Sequence, residues 1–268
     1  IQISKGAGSV LNGFESITGQ INYELRQPTD EELVFVNVYA NGGSRLEFNG
    51  ALNLDVSKGV STGIYVHGNN VSIKNDNNND GYLDMPTGSQ INLMNRWQIY
   101  KGNWEAQAGI HYVQDERTGG FADYDFSQTH AQNKIEQGIV TGDLIASTSN
   151  KSFLRAFAKA GWVNPEKSWQ SIGFQAAYTN YTDSLRYSFG DFTDKEQSYY
   201  FNAIYSSELF NCDLPFKAGL SLLGDHVDQS LFRRESILVA DTVITTLKNN
   251  TVGAFFEQTI KAGDKLTL

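Results

Sequence analysis

From Leu33 onward the chain alternates apolar and polar residues with a period of two. Between Ser44 and Val56, one face carries Leu46, Phe48, Gly50, Leu52, Leu54 and Val56. The other carries Arg45, Glu47, Asn49, Asn53 and Asp55. Trp104 to Gln114 repeats the pattern, with Trp104, Ala106, Ala108, Ile110 and Tyr112 set against Glu105, Gln107 and His111, and Asp115 continuing the polar side. Ser168 to Thr182 sets Ile172, Phe174, Ala176 and Tyr178 against Ser171, Gln175 and Thr179. Such alternation places one face of a strand in an apolar medium and the other in a polar one. The pattern predicts strands at 32–40, 44–56, 60–70, 90–100, 104–117, 152–163, 168–182, 196–208, 214–228 and 249–261, with another beginning near 265. Several exceed ten residues, which is long for a soluble sandwich and suits a tilted strand crossing a membrane.

The connections alternate in length. Short turns fall at Val56–Val60, Lys101–Asn103, Val163–Lys167, Leu209–Asp213 and Ala262–Asp264. Longer ones fall at Asn70–Gln90, Thr118–Lys151, Asp183–Lys195 and Gln229–Lys248. A membrane barrel has this arrangement, with tight turns on one side and long loops on the other. Counting Lys134–Ile145 as a barrel strand would break the parity, so it stays inside the loop, where it could form part of a hairpin. Asn41–Gly43 is the one short connection on the long-loop side. The competing architecture is a secreted β-sandwich, but its regular turn signals every 8–12 residues are missing.

The first residues read as two short apolar strands around a glycine-rich turn: Gln2-Ile3-Ser4-Lys5-Gly6-Ala7-Gly8-Ser9, then Asn12-Gly13, then Thr18-Gly19-Gln20-Ile21-Asn22. Ser9–Asn12 could form one helical turn closed by Gly13. This order of residues resembles the end of the plug domain of TonB-dependent outer-membrane receptors. That family typically closes its plug with a Glu-Val-Leu-Arg-Gly-Pro-type strand and turn, then Tyr-Gly, then Gly-Gly-x-Ile-Asn. Lys5 stands where Arg is usual, Ala7 where Pro is usual, Phe14 follows the glycine, and Thr18 replaces a glycine. Asn79–Pro86 followed by Gln90–Trp97 is similar to the early barrel of a Bacteroidetes-type subgroup.

The resemblance implies a plug end at 1–27, with Lys5, Gly6, Gly8, Gly13 and Gly19 forming its turn and Lys5 a candidate partner for a lumen carboxylate. It implies that 28–268 is the first part of a transmembrane antiparallel β-barrel, about 10–11 strands of the family's usual 22 or so. It further implies an outer-membrane location in a Gram-negative bacterium, with no catalysis. The expected activity is energised uptake of a scarce small-molecule ligand, such as a metal chelate, siderophore or cobalamin. TonB would pull on an N-terminal segment not included in these residues, and the chain is expected to be an internal fragment of a longer protein.

Composition is compatible with this picture. Formal net charge is −9, which argues against a nucleic-acid partner. Cys212 is the single cysteine, so neither a disulfide framework nor a cysteine zinc site is expected. No run of eighteen apolar residues marks a spanning helix, and mean hydropathy is −0.38. Aromatic residues make up 12% of the chain, and Trp97, Trp104, Trp162 and Trp169 lie near strand ends, where a membrane girdle would put them.

One local motif carries chemistry. Asp76-Asn77-Asn78-Asn79-Asp80-Gly81-Tyr82-Leu83-Asp84 sets oxygen side chains at places 1, 3, 5 and 9 of a calcium loop, as Asp76, Asn78, Asp80 and Asp84. Gly81 holds the sixth place and Tyr82 offers its carbonyl. Thr87 stands where a bidentate Glu is usual, and no helices flank the loop, so this is not an EF-hand. The expectation is Ca2+ in a structural role; the plain alternative is a solvated Asn/Asp turn. His67, His111, His130 and His226 are scattered, and no Gly-x-Ser-x-Gly, phosphate loop or metalloprotease motif is present. The alternative function is a calcium-stabilised surface adhesin or glycan-binding β-domain.

Overall fold

The computed structural model describes residues 1–6, 19–23, 26–29, 32–139, 142–209, 214–234, 240–262 and 266–267. At the start, β1 (Gln2–Lys5) pairs antiparallel with β2 (Gly19–Asn22), Gln2 opposite Asn22 and Lys5 opposite Gly19. Ten strands then form a single antiparallel meander, each paired with the next. They are β3 (Val34–Ala40), β4 (Arg45–Ser57), β5 (Val60–Val71), β6 (Thr87–Lys101), β7 (Trp104–Gly120), β8 (Ala146–Val163), β9 (Ser171–Tyr187), β10 (Gly190–Glu208), β11 (Pro215–Arg234) and β12 (Ala240–Gln258). One short helix, α1 (His130–Glu136), interrupts the β7–β8 connection. The strand expected near 265 is the two-residue β14 (Leu266–Thr267), which pairs with β13 (Lys261–Ala262) and not with β12. The fold is all-β. Its large sheet is open, with β3 and β12 as unpaired edges, and is not closed into a barrel.

Cross-strand partners share a face, so the register sorts the side chains. On one face, starting at the short-turn end, β9 shows Ile172, Phe174, Ala176 and Tyr178. β10 shows Tyr205, Ala203, Phe201 and Tyr199, and β11 shows Phe216, Ala218, Leu220 and Leu222. On β12 the run is Phe256, Ala254 and Val252. Leu46, Phe48, Leu52, Leu54, Ala106 and Ile110 belong to the same face, while Arg45, Glu47, Asn53, Glu105 and Gln107 belong to the other, as the alternation predicts.

The apolar face forms a belt with aromatic borders. Trp104 stands opposite Trp162 at the short-turn end, and Tyr178 stands opposite Tyr199 at the other. From Trp104 to Tyr112 the belt runs about 27 Å along the strand, at about 3.4 Å per residue. No second sheet covers it among the described residues. Leu220 is 60% exposed and Val252 78%. Among the described residues, four apolar side chains are buried against ten polar ones, the inverse of a soluble core.

Two expected loops are strand instead. Asp183–Lys195 is a hairpin extension in which Asp183 pairs with Asp194 and the turn is reduced to Ser188 and Phe189. Most of Gln229–Lys248 likewise belongs to β11 and β12, with Gln229 opposite Thr245. Beyond the belt the belt-side face turns largely polar while the opposite face gains a cross-strand row of Leu185, Phe192, Leu231 and Val243, so the contrast that marks the belt is lost while the backbone ladder continues. The region expected as part of a hairpin, Lys134–Ile145, instead begins inside α1. Its signal was local: Thr129 and Gln132 form a reciprocal capping box, Gln132 N donating to Thr129 Oγ1 at 3.2 Å and Thr129 N to Gln132 Oε1 at 2.9 Å.

Candidate functional site

The polar face is organised by hydrogen bonds. Asn49 Oδ1 meets His67 Nδ1 at 2.7 Å, His67 Nε2 meets Asn69 Nδ2 at 3.1 Å, and Asn69 Nδ2 donates to Gln90 Oε1 at 3.3 Å. Gln90 Nε2 continues to Asp115 at 3.2 Å, which Arg117 pairs at 2.8 Å. His111 lies on this face too, its Nε2 2.8 Å from Asn92 Oδ1. Further round, β8 aligns Lys151, Arg155 and Lys159, and β9–β10 answers with Asp183, Asp194 and Glu196. Lys151 and Asp183 are 3.8 Å apart. This face can hold a polar partner over several strands.

One partner is the chain itself. The segment leading into β3 is tied to the wall: Arg96 donates to the Arg26 carbonyl at 2.6 Å, and Gln98 Nε2 to Gln27 Oε1 at 3.2 Å. Asn53 Nδ2 donates to the Glu32 carbonyl at 2.8 Å. Arg96, Gln98 and Asn53 are 5%, 1% and 4% exposed. Their burial was hidden from the sequence because the partners of Arg96 and Gln98 lie about seventy residues away and are backbone or amide groups without a motif.

At the opposite end, two connections interlock. Tyr82 bridges to Phe121, with ring centroids 5.6 Å apart. Leu83 N donates to Gly120 O and Ala122 N to Gly81 O, each at 2.9 Å. A side chain at Gly81, whose φ is +86°, would meet the Phe121 ring at 2.7 Å, so only glycine fits. The β7–β8 connection is latched in turn to the β9–β10 hairpin. Tyr124 Oη donates to Ser188 O at 3.0 Å, and Arg186 Nη2 to Phe126 O at 2.9 Å. Asn133, 1% exposed, donates to the carbonyls of Asp125 and Thr129 and accepts from Asp125 N. Asp143 binds Lys134 Nζ at 3.1 Å, and this contact, followed by His130, holds its carboxyl below the usual carboxylate range.

The Asp76–Asp84 loop sits in this cluster as a set of Asx turns. Asp76 accepts from Asp80 N at 3.2 Å and from Gly81 N at 2.8 Å. Asp80 accepts from Tyr82 N at 2.8 Å and from Asn78 Nδ2 at 2.9 Å. Asp84 turns to Asn77, accepting from its N and Nδ2. Among the described residues, no three His, Cys, Asp or Glu side chains come together closely enough to hold a metal.

In the β1–β2 hairpin, Lys5 is exposed and has no carboxylate within ion-pair reach among the described residues. Gly6 has a φ of +87° with open space around it, and Gly19 approaches the Ser4 carbonyl too closely for any side chain. Gly8, Gly13 and the Ser9–Asn12 turn lie outside the described residues. Comparison with protein-family models, curated proteins and solved structures finds no match for the chain.

Proposed function

We propose that the chain is part of a TonB-dependent outer-membrane receptor. The ten-strand sheet would be an arc of its transmembrane barrel, and the β1–β2 hairpin the end of its plug. The observation that carries this reading is the uncovered apolar belt between two aromatic borders. An extent of about 27 Å along a strand, shortened by tilt, is of the order of the lipid-facing band of such barrels, about 25 Å tall. Exposing Val252 and Phe256 to water would be costly, whereas lipid accepts them. The adhesin reading lacks, among the described residues, a layer to cover this face. The open edges β3 and β12 are where further strands would pair to close the wall.

The polar face then lines a lumen, and the tether at Arg96 and Gln98 fixes the chain where plug passes into barrel. The activity is energised uptake of a scarce ligand, such as a metal chelate, siderophore or cobalamin-like molecule. The test compares a deletion strain with its parent for accumulation of labelled cobalamin and labelled ferric chelates, with and without a protonophore. Accumulation of at least one should fall to the passive level in both treatments. Unchanged accumulation of all of them, with the protein recovered in the soluble fraction, would overturn the reading.

A further inference from the structure

Beyond the belt, the opposite face of the sheet carries an exposed apolar surface with acids set into it. Leu185, Phe192, Leu231 and Val243 stand opposite one another on β9 to β12. At about 4.8 Å between strands the row is about 14 Å long. Four residues nearer the belt, Val227 and Leu247 form a second apolar pair on that face, about 13 Å from the first row. Leu231, Val243 and Leu247 are 40%, 52% and 56% exposed, so both rows are open to an occupant.

The charges on this face are unbalanced. Outward from Thr179, β9 to β12 carry Asp183, Asp194, Glu196, Asp225 and Asp241 with a single cation, Arg233. Lys151, on β8, lies 3.8 Å from Asp183. Neither Glu196 nor Asp225 has a basic group within ion-pair reach among the described residues. Glu196 stands directly opposite Val227, so an unpaired carboxylate adjoins the second apolar pair.

This combination narrows the occupant. An inorganic cation would answer the carboxylates and leave the apolar rows in water. A neutral apolar ligand would strip water from Glu196 and Asp225 without replacing it. An anion would be repelled. A small amine with one apolar group would not cover two rows about 13 Å apart.

We propose that this face binds a short peptide that carries both apolar and basic side chains. About four extended residues, at about 3.4 Å each, span the distance between the rows. Apolar side chains then cover the rows while lysine or arginine side chains meet Glu196 and Asp225. The inference does not rest on energised transport: binding is read directly, and a failed uptake assay leaves it standing.

The test uses the full-length protein in phosphatidylcholine vesicles, by equilibrium dialysis, with protein-free vesicles subtracted. The probes are three capped tetrapeptides of sequence LKLK, LELE and SKSK. LKLK should bind more tightly than either comparator and weaken as salt is raised. Glu196→Gln combined with Asp225→Asn should weaken it about tenfold. Leu231→Ser combined with Leu247→Ser should also weaken it about tenfold, with the heat-modified gel shift of the folded protein retained. Asp191→Asn combined with Asp228→Asn removes the same charge from the other face of the sheet and should leave binding within about twofold. No binding of LKLK, equal or tighter binding of LELE or SKSK, or an equal loss from the acid pairs on the two faces would overturn the proposal. If the leucine variant does not fold, the comparison of the two acid pairs still decides.

Discussion

Along one face of β9 the residues run Ile172, Phe174, Ala176, Tyr178 and then Asn180, Thr182, Ser184, Arg186. β10 pairs with it in the same order, from Tyr205, Ala203, Phe201 and Tyr199 to Gln197, Lys195, Thr193 and Asp191. The two halves share a backbone ladder but not a cause. The belt half is specified by the contrast between its faces, because slipping by one residue would exchange apolar for polar at every position. The outer half has no such contrast: its belt-side face is largely polar, and the opposite face mixes Leu185, Phe192, Leu231 and Val243 with Asp183 and Asp194. It is held by main-chain pairing and by side-chain links such as Thr193–Ser230 at 2.9 Å and Thr246–Asp228 at 2.8 Å. Links of this kind contribute roughly 0.2–1 kcal/mol each, so the outer half spreads its stability over many small terms.

The largest test of this contrast places one charge in each half. Leu220→Arg, in the belt, should cost about 2–4 kcal/mol if the belt faces lipid. Ser184→Arg, exposed on the same face beyond it, should stay within about 0.5 kcal/mol. Urea titration of folding into lipid vesicles measures both. Equal effects would remove the distinction between the halves and with it the membrane reading.

The same contrast explains what the sequence made legible. The period of two located the belt half of most strands and sorted Leu46, Ile110 and Phe174 from Arg45 and Gln107. It failed at Asp183–Lys195 and Gln229–Lys248 because ladder hydrogen bonds are made by every residue type and leave no side-chain pattern. α1 lies outside the reach of a period-two pattern, and its mark in the sequence is the capping box at Thr129 and Gln132. The Arg96 and Gln98 tether was not readable, since nothing in a lone Arg-Trp-Gln announces partners seventy or so positions earlier.

A middle-sized effect is expected where the outer half stops being diffuse. Asn133 concentrates three hydrogen bonds in one buried amide. Asn133→Ala should cost about 1–3 kcal/mol by leaving backbone groups unpaired. The loss should be local, seen as faster hydrogen exchange in 121–139 with the belt strands unchanged. Uniform acceleration through β9 and β10 would mean that the connection and the sheet open as one unit.

Calcium should act on the same end and less strongly. The carboxylates of Asp76 and Asp80 already accept backbone N–H groups, yet each carboxylate retains further lone pairs. Closing the loop round an ion requires Asp84 to leave Asn77. At a calcium concentration about ten times the Kd, the gain is about 1.4 kcal/mol. The expected result is a modest calcium-dependent rise in the melting temperature of the loop end, absent in Asp80→Ala. A flat response in the unaltered protein would leave the loop as a hydrogen-bonded turn.

The smallest effect concerns Asp143. Lys134 first, then His130, lower its pKa. A carboxylate with a depressed folded pKa adds stability that is fully present above the unfolded value, about 3.9. That stability is lost as pH falls through the still lower folded value. The β7–β8 connection should therefore stay closed from neutral pH down to about 4 and loosen only below that. Asp125, held down mainly by Ser127, titrates in the same direction, so Asp143→Asn should remove only part of the dependence. Limited proteolysis with an acid-active protease, corrected for its own pH profile on an unfolded substrate, reads the opening. Loosening that begins well above pH 4 would mean that the Asp143 carboxylate does not hold the connection closed.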